Sequence, residues 1–186
     1  DRKGRIWCAS YTNGISIYSP NNNKFTVLNQ NDYPEVFRAS DVLMLQRKGE
    51  NHIYCLTSRG LFEFNITNLK ARVVTTRQFI KIIELKGKEY FFEENGGVYA
   101  TNTNDDFIKV AQVNGTIMNA DLFNNQIVLS TYNGVFSMDT SFRIWKHQIL
   151  LNGENISNQK FSGAQIGRDN VLHLNSLTHG LLQETL

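Results

Sequence analysis

Short runs rich in Ile, Val, Leu, Phe and Tyr alternate along the chain with clusters of Asn, Gly, Asp and Lys. Runs of that length, bounded by turn-forming residues, predict β-strands. No convincing helical period persists over eleven or more residues. SDVLMLQRKGE (40–50) comes nearest, but its apolar part is short and ends at a turn signal. The 13 Gly and only 2 Pro fit an all-β chain of many tight turns.

The strands recur in register. With Gly14 as a ruler, a strand–turn–strand pattern returns at Gly60, Gly97, Gly134 and Gly180, at spacings of 46, 37, 37 and 46 residues. Before these glycines stand IWCAS, IYCLTS, YFFEEN, IVLSTY and LHLNSL; after them stand ISIYSP, LFEFNI, VYATNT, VFSMDT and LLQETL. A third strand follows most copies: KFTVLN (24–29), ARVVTT (71–76), FIKVAQ (107–112) and RIWKHQIL (143–150). A fourth precedes the next copy: DVLMLQ (41–46), FIKIIEL (79–85), TIMNADLF (116–123) and KFSGAQIG (160–167). That fourth strand joins the next repeat through RKGEN, KGKE, NNQ or RDN, the turn chemistry that hairpins with positive φ require.

A unit of four antiparallel strands at this period predicts a β-propeller. With the strands of a blade named A to D from the axis outward, residues 1–186 form one partial propeller domain. It comprises a B–C–D fragment, three complete blades and an A–B–C fragment, about four blades of a larger propeller. Five registered copies across four strand slots weigh against an ordinary β-sandwich. Exposed blade edges invite strand pairing, so a homodimer is expected. The first residue is Asp in mid-motif, which reads as an excised piece of a longer protein.

Charge changes the picture little. A net charge of +2 with no long single-sign run gives no nucleic-acid groove and no basic membrane face. The longest apolar runs are far too short to span a bilayer.

The first 30 residues carry a more specific pattern. Asp1 and Gly4 form a turn leading to Ile6-Trp7; Gly14 opens a strand ending in Tyr18, Pro20 and Asn21; Lys24-Phe25 follow. This resembles the two-component-regulator propeller repeat. Later copies are weaker, with Tyr54, Phe91, Val128 and His173 in the slot of Trp7. The resemblance implies the extracytoplasmic, periplasmic sensor region of a Bacteroides-type hybrid two-component system. There the parent chain carries further blades, a membrane helix, a histidine kinase and a regulator. It further implies sensing of oligosaccharides from complex glycans, without catalysis by this segment and without a cofactor.

In such a propeller the B–C turns and D–A connections share one face, where ligands commonly bind. The candidates there are Tyr11, Asn13, Arg59, Glu94, Tyr132 and His179 from B–C turns, and Tyr33 and Arg38 from a D–A connection. Aromatic faces, amides, carboxylates and guanidinium groups suit a sugar's apolar face and hydroxyl rim. The same residue types are common in any turn. The long connections 30–40, which includes Phe37, and 151–160 are the better places for function.

Trp7 reads as blade-to-blade packing, and Trp145 as an outer-strand residue facing solvent or a partner. Cys8 and Cys55 occupy one slot in successive repeats and read as two buried thiols rather than a disulfide. His52, His147, His173 and His179 show no metal-ligand spacing. Two other readings stay open. One is a scaffold propeller that binds proteins through its rim. The other is a propeller enzyme such as a glycosidase or lyase, for which the A strands offer only Glu84 and Asp121 as carboxylates.

Overall fold

The structure, a computed structural model, describes residues 1, 3–10, 14–38, 41–102, 106–167 and 171–185. The chain divides into two compact units, Asp1–Ile80 and Lys81–Leu186.

The first unit holds two sheets. Strands β1 (Ile6–Ser10), β2 (Gly14–Ser19) and β3 (Lys24–Leu28) form an antiparallel sheet in that order. Strands β4 (Val42–Lys48), β5 (His52–Thr57), β6 (Gly60–Asn65) and β7 (Ala71–Thr75) form the second, each paired with its sequence neighbour. Register decides what each face presents. Trp7 opposes Ile17 and Ala9 opposes Ile15, so one face of the first sheet carries Trp7, Ile15 and Ile17. It packs on Cys55, Phe62 and Phe64 of the second sheet. Trp7 therefore has the packing role its slot predicts, and its indole N–H donates to Asp1 Oδ2 at 2.8 Å.

The opposite face of the first sheet carries Ile6, Cys8, Tyr18, Phe25 and Val27. Within its unit this face is open: Ile6 is 54% and Phe25 71% exposed. The expectation of two buried thiols is therefore corrected, because Cys8 is exposed while Cys55 is buried. Like slots in successive sheets face the same way. Cys55 points at the first sheet and is covered by it, whereas Cys8 points from the first sheet's open face.

Between the sheets lies α1 (Pro34–Phe37), a helix the polar-apolar pattern does not predict. Pro34 starts it, since a first-turn residue needs no N–H partner. Its value is packing: Val36 and Phe37 enter the core, and the Phe37 ring stacks 5.9 Å from Phe64.

On the second sheet's other face Glu63, 5% exposed, sits among basic side chains. Arg72 donates to it at 2.5 Å, with Lys48 at 3.8 Å and His52 at 3.6 Å. Lys48 also lies 4.6 Å from the centre of the Tyr54 ring.

The second unit repeats the plan. Strands β8 (Lys81–Leu85), β9 (Lys88–Phe92), β10 (Gly97–Thr101) and β11 (Phe107–Gln112) form one four-stranded sheet. Strands β12 (Ile117–Phe123), β13 (Gln126–Thr131), β14 (Gly134–Met138) and β15 (Ile144–Lys146) form the next. A small hairpin of β16 (Leu150–Leu151) and β17 (Glu154–Asn155) leads to a sheet of β18 (Phe161–Ile166), β19 (Val171–Ser176) and β20 (Gly180–Thr185). The first strands of these sheets stand together, β8 against β12 and β12 against β18, as A strands around an axis would. Central strands such as β13 and β14 are buried on both faces, which is why they read as continuous apolar runs.

RIWKHQIL does not stay a strand to its end. Pairing extends to the His147 N–H on Val135 O, at 2.9 Å. Ile149, 2% exposed, then leaves the edge for the core, where its N–H donates to Ser157 Oγ at 2.8 Å.

Candidate functional site

Three of the B–C turns are built around a buried hydroxyl. Thr131 Oγ1 donates to Gly134 O and accepts from Asn133 N–H, both at 2.9 Å. Thr57 does the same across Arg59 and Gly60, at 3.1 and 3.2 Å. Ser176 Oγ accepts from the N–H groups of Thr178 and His179. A hydroxyl on the last residue of the strand, three or four positions before the ruler glycine, thus closes each of these turns, a device the glycine ruler alone does not show.

The glycines themselves answer a second demand. Gly60 has a φ of +139° and Gly134 of +121°, and each lies against a neighbouring backbone carbonyl, Thr75 O and Ser157 O, with no room for a Cβ. In the third copy this close approach belongs to Gly96, one residue before Gly97. The turns are also stitched to the D–A connections. Ser58 N–H donates to Asp41 O, Tyr132 N–H to Thr116 O and Leu177 N–H to Lys160 O, each at 3.1 Å. These bonds place turn and connection side by side at one end of the strands in each unit.

In the first unit this surface holds a groove of about 470 Å³ lined by Gly14, Ser16, Val27, Asn29, Gln30, Asn31 and Phe37. Asn29 shapes its floor. Its Oδ1 accepts from Asn31 N–H at 2.8 Å, and its carbonyl accepts from Asp32 and Tyr33 at 3.2 and 3.0 Å. Asn29, Gln30 and Asn31 thus share the groove with Val27 and Phe37. Clefts of this size, part apolar with a few placed polar groups, are where small molecules bind.

The residues expected at this face are placed as follows. Tyr11 and Asn13 lie outside the described residues, directly before the groove residue Gly14. Tyr33 is wedged between the sheets: its ring meets Phe64 at 5.4 Å and its hydroxyl donates to Leu69 O at 2.8 Å. Burial pushes its phenol above the usual tyrosine range. Arg38 and Arg59 meet, Arg59 donating to the Arg38 carbonyl at 3.1 Å, but neither lines the groove. Phe37 lines it although only 4% exposed. Ser16 and Asn29 are groove residues that sequence reasoning passed over, while Gln30 and Asn31 lie in the connection 30–40 that it singled out. The signal for Asn29–Asn31 was the amide-rich run NQND directly after the third strand.

In the second unit Glu94 is exposed, and its carbonyl accepts from Ile117 N–H at 2.9 Å. Tyr132 is half-buried with the Lys160 ammonium 5.1 Å from its ring centre. Beside it Asn133 Nδ2 donates to Asn114 Oδ1 at 3.5 Å. Lys146 donates to Asn158 Oδ1 at 2.5 Å, and burial pushes its amine below the usual lysine range. His179 is exposed at the last B–C turn. Tyr132, Asn133 and Lys160 form a small aromatic and polar platform; Glu94 and His179 stand on other turns.

Among the described residues no three His, Cys, Asp or Glu side chains gather to hold a metal ion. Asp121 spends one carboxylate oxygen on the Leu122 N–H at 2.8 Å. Among those residues no helix is long and apolar enough to cross a membrane.

No family model matches the chain, and no curated protein matches it. Solved structures do. The chain is similar to the extracellular domain of the hybrid two-component system BT3049 from B. thetaiotaomicron, with a TM-score of 0.74 at 15% identity over 95% of this chain and 24% of that one. It is similar to the extracellular domain of the hybrid two-component system BT4673 from the same organism, with a TM-score of 0.74 at 16% identity over 97% and 26%. It also matches BBS1N, solved in complex with ARL6DN, with a TM-score of 0.66 at 14% identity over 98% and 57%. The chain spans about a quarter of the length of those extracellular domains. Its fold is an all-β β-propeller segment of four-stranded antiparallel sheets that matches part of larger propeller chains.

Proposed function

We infer that the chain is part of the periplasmic sensor propeller of a hybrid two-component system, binding an oligosaccharide without acting on it chemically. The observation that supports this most is the likeness to two extracellular domains of such systems over 95% and 97% of the chain. The groove at Ser16 and Asn29–Asn31 is the place for the ligand in this reading. Its amides match the donors and acceptors of sugar hydroxyls, and Val27 and Phe37 match a ring's apolar face. Binding transmits a signal by favouring one arrangement of blades or protomers over another.

Thermal unfolding against a panel of plant and host oligosaccharides tests the reading, with solution mass recorded alongside. A ligand specific for the native state at 100 times its Kd stabilises by about 2.7 kcal/mol. The expected result is a saturable rise in midpoint with one glycan, abolished by Gln30→Ala with Asn31→Ala. No rise with any glycan, from a folded and monodisperse sample, overturns it. BBS1N, solved in complex with ARL6DN, favours a second reading, a scaffold for protein partners. A chain unmoved by glycans that captures the remainder of its own signalling protein would support that reading.

A further inference from the structure

A second cavity lies within the second unit, in the crevice between the β12–β15 sheet and β19. It measures about 240 Å³. Phe123, Val128 and Leu172 are its apolar walls, and Gln126, Ser137 and His147 are among its polar ones. It opens near the β12–β13 turn, at the other end of these strands from the Thr131–Gly134 turn. The oligosaccharide reading uses none of these residues, so either proposal can fail without the other.

Two of its polar lining residues form a pair. Register sets Ser137 opposite Val128, and the extra backbone bond from His147 to Val135 O keeps His147 in line with β15. Ser137 Oγ and His147 Nε2 meet at 2.7 Å. Ser137 is 1% exposed, and burial pushes the His147 imidazole below the usual histidine range. Whichever way this hydrogen bond runs, Ser137 Oγ keeps at least one lone pair that can accept from a hydroxyl.

The walls select the ligand. Among the described residues no Asp, Glu, Lys or Arg lines the cavity, so those walls give an entering ion no counter-charge for the hydration it would lose. Phe123, Val128 and Leu172 give a ring an apolar bed, and the polar partners are Asn124, Gln126 and the Ser137–His147 pair. A dry cavity of about 150 Å³ is enough for benzene, and this one is larger. We propose that the crevice binds a small, neutral, single-ring molecule bearing one hydroxyl, with its ring between Phe123, Val128 and Leu172 and its hydroxyl on the Ser137–His147 pair.

Phenol is the probe. Titrated into the whole chain, it should move the His147 ring resonances saturably while those of His173 and His179 stay in place. Ser137→Ala should weaken binding at least fivefold, a loss of about 1 kcal/mol for one hydrogen bond. Toluene makes the same comparison on the unaltered chain should that variant not fold, and it too should bind at least fivefold more weakly. Absence of a saturable His147 shift, or equal affinity with the hydroxyl removed from either side, would overturn the proposal.

Discussion

Replacing Gly60 with Ala should damage the first unit far more than one methyl group normally does. At φ +139° an added Cβ would overlap Thr75 O and lie 2.9 Å from Thr76 Cα, both backbone atoms that cannot rotate aside. The conformation alone costs a side-chain-bearing residue about 1–2 kcal/mol. Forcing the backbone apart adds about 1–3 kcal/mol of overpacking. Leu61 opposes Thr75 next to this point, so a displaced ladder loses about one more hydrogen bond, roughly 1 kcal/mol. The sum is about 3–6 kcal/mol on those terms. Gly49, with φ +58° and nothing within 4 Å of its added Cβ, is the control. Gly49→Ala should cost only the conformational part, about 1–2 kcal/mol. Urea unfolding followed by the fluorescence of Trp7, in a Trp145→Phe background, reads the first unit alone. Equal losses in the two variants would refute the idea that close backbone approach, rather than turn conformation, requires Gly60.

Other outcomes follow from the same geometry. Thr131→Val removes a buried hydroxyl that bonds Gly134 O and Asn133 N–H, and should cost about 1–3 kcal/mol in the second unit's unfolding free energy; a neutral result would mean the turn holds without it. His147 is held neutral by burial, its folded pKa depressed below 6.5. The unfolded state therefore takes up the proton first, so His147's contribution is whole above about pH 6.5 and is lost as pH falls through the folded value. His147→Gln should shrink the difference between urea midpoints at about pH 7.5 and pH 5, and an unchanged difference would count against this. In the isolated chain one thiol should react rapidly with a thiol reagent, exposed Cys8, while Cys55, buried and with its pKa pushed up to about 12, should react only on unfolding. Two fast thiols would contradict the packing of the first two sheets.

Much of the fold was legible because propeller blades repeat local chemistry. The copies around Gly60 and Gly134 show a strand, a turn needing a side-chain-free residue and another strand, and the structure has all three there. What the pattern hid depended on contacts across sheets. The four residues of α1 are too few to show a period, and their role depends on Phe64, far along the chain. Cys8 and Cys55 look alike in sequence and differ only in whether a second sheet lies over them. Glu63 stands in a run buried along most of its length, LFEFN, and its three basic partners, Lys48, His52 and Arg72, come from β4, β5 and β7. The groove was half legible. Its location at a long connection could be anticipated, but its lining could not, since Tyr33 and Arg59 turn to neighbouring carbonyls while Asn29–Asn31 face the cleft.

The central claim is that the first unit's groove receives an oligosaccharide. Backbone amide mapping by NMR tests it most directly, using the glycan that stabilises the chain most. The account predicts saturable perturbations concentrated at Gly14–Ser16 and Val27–Asn31, with the turns at Pro20–Asn23 and Gly49–Asn51 unmoved. Perturbations confined to those opposite turns, or to the second unit, would contradict it.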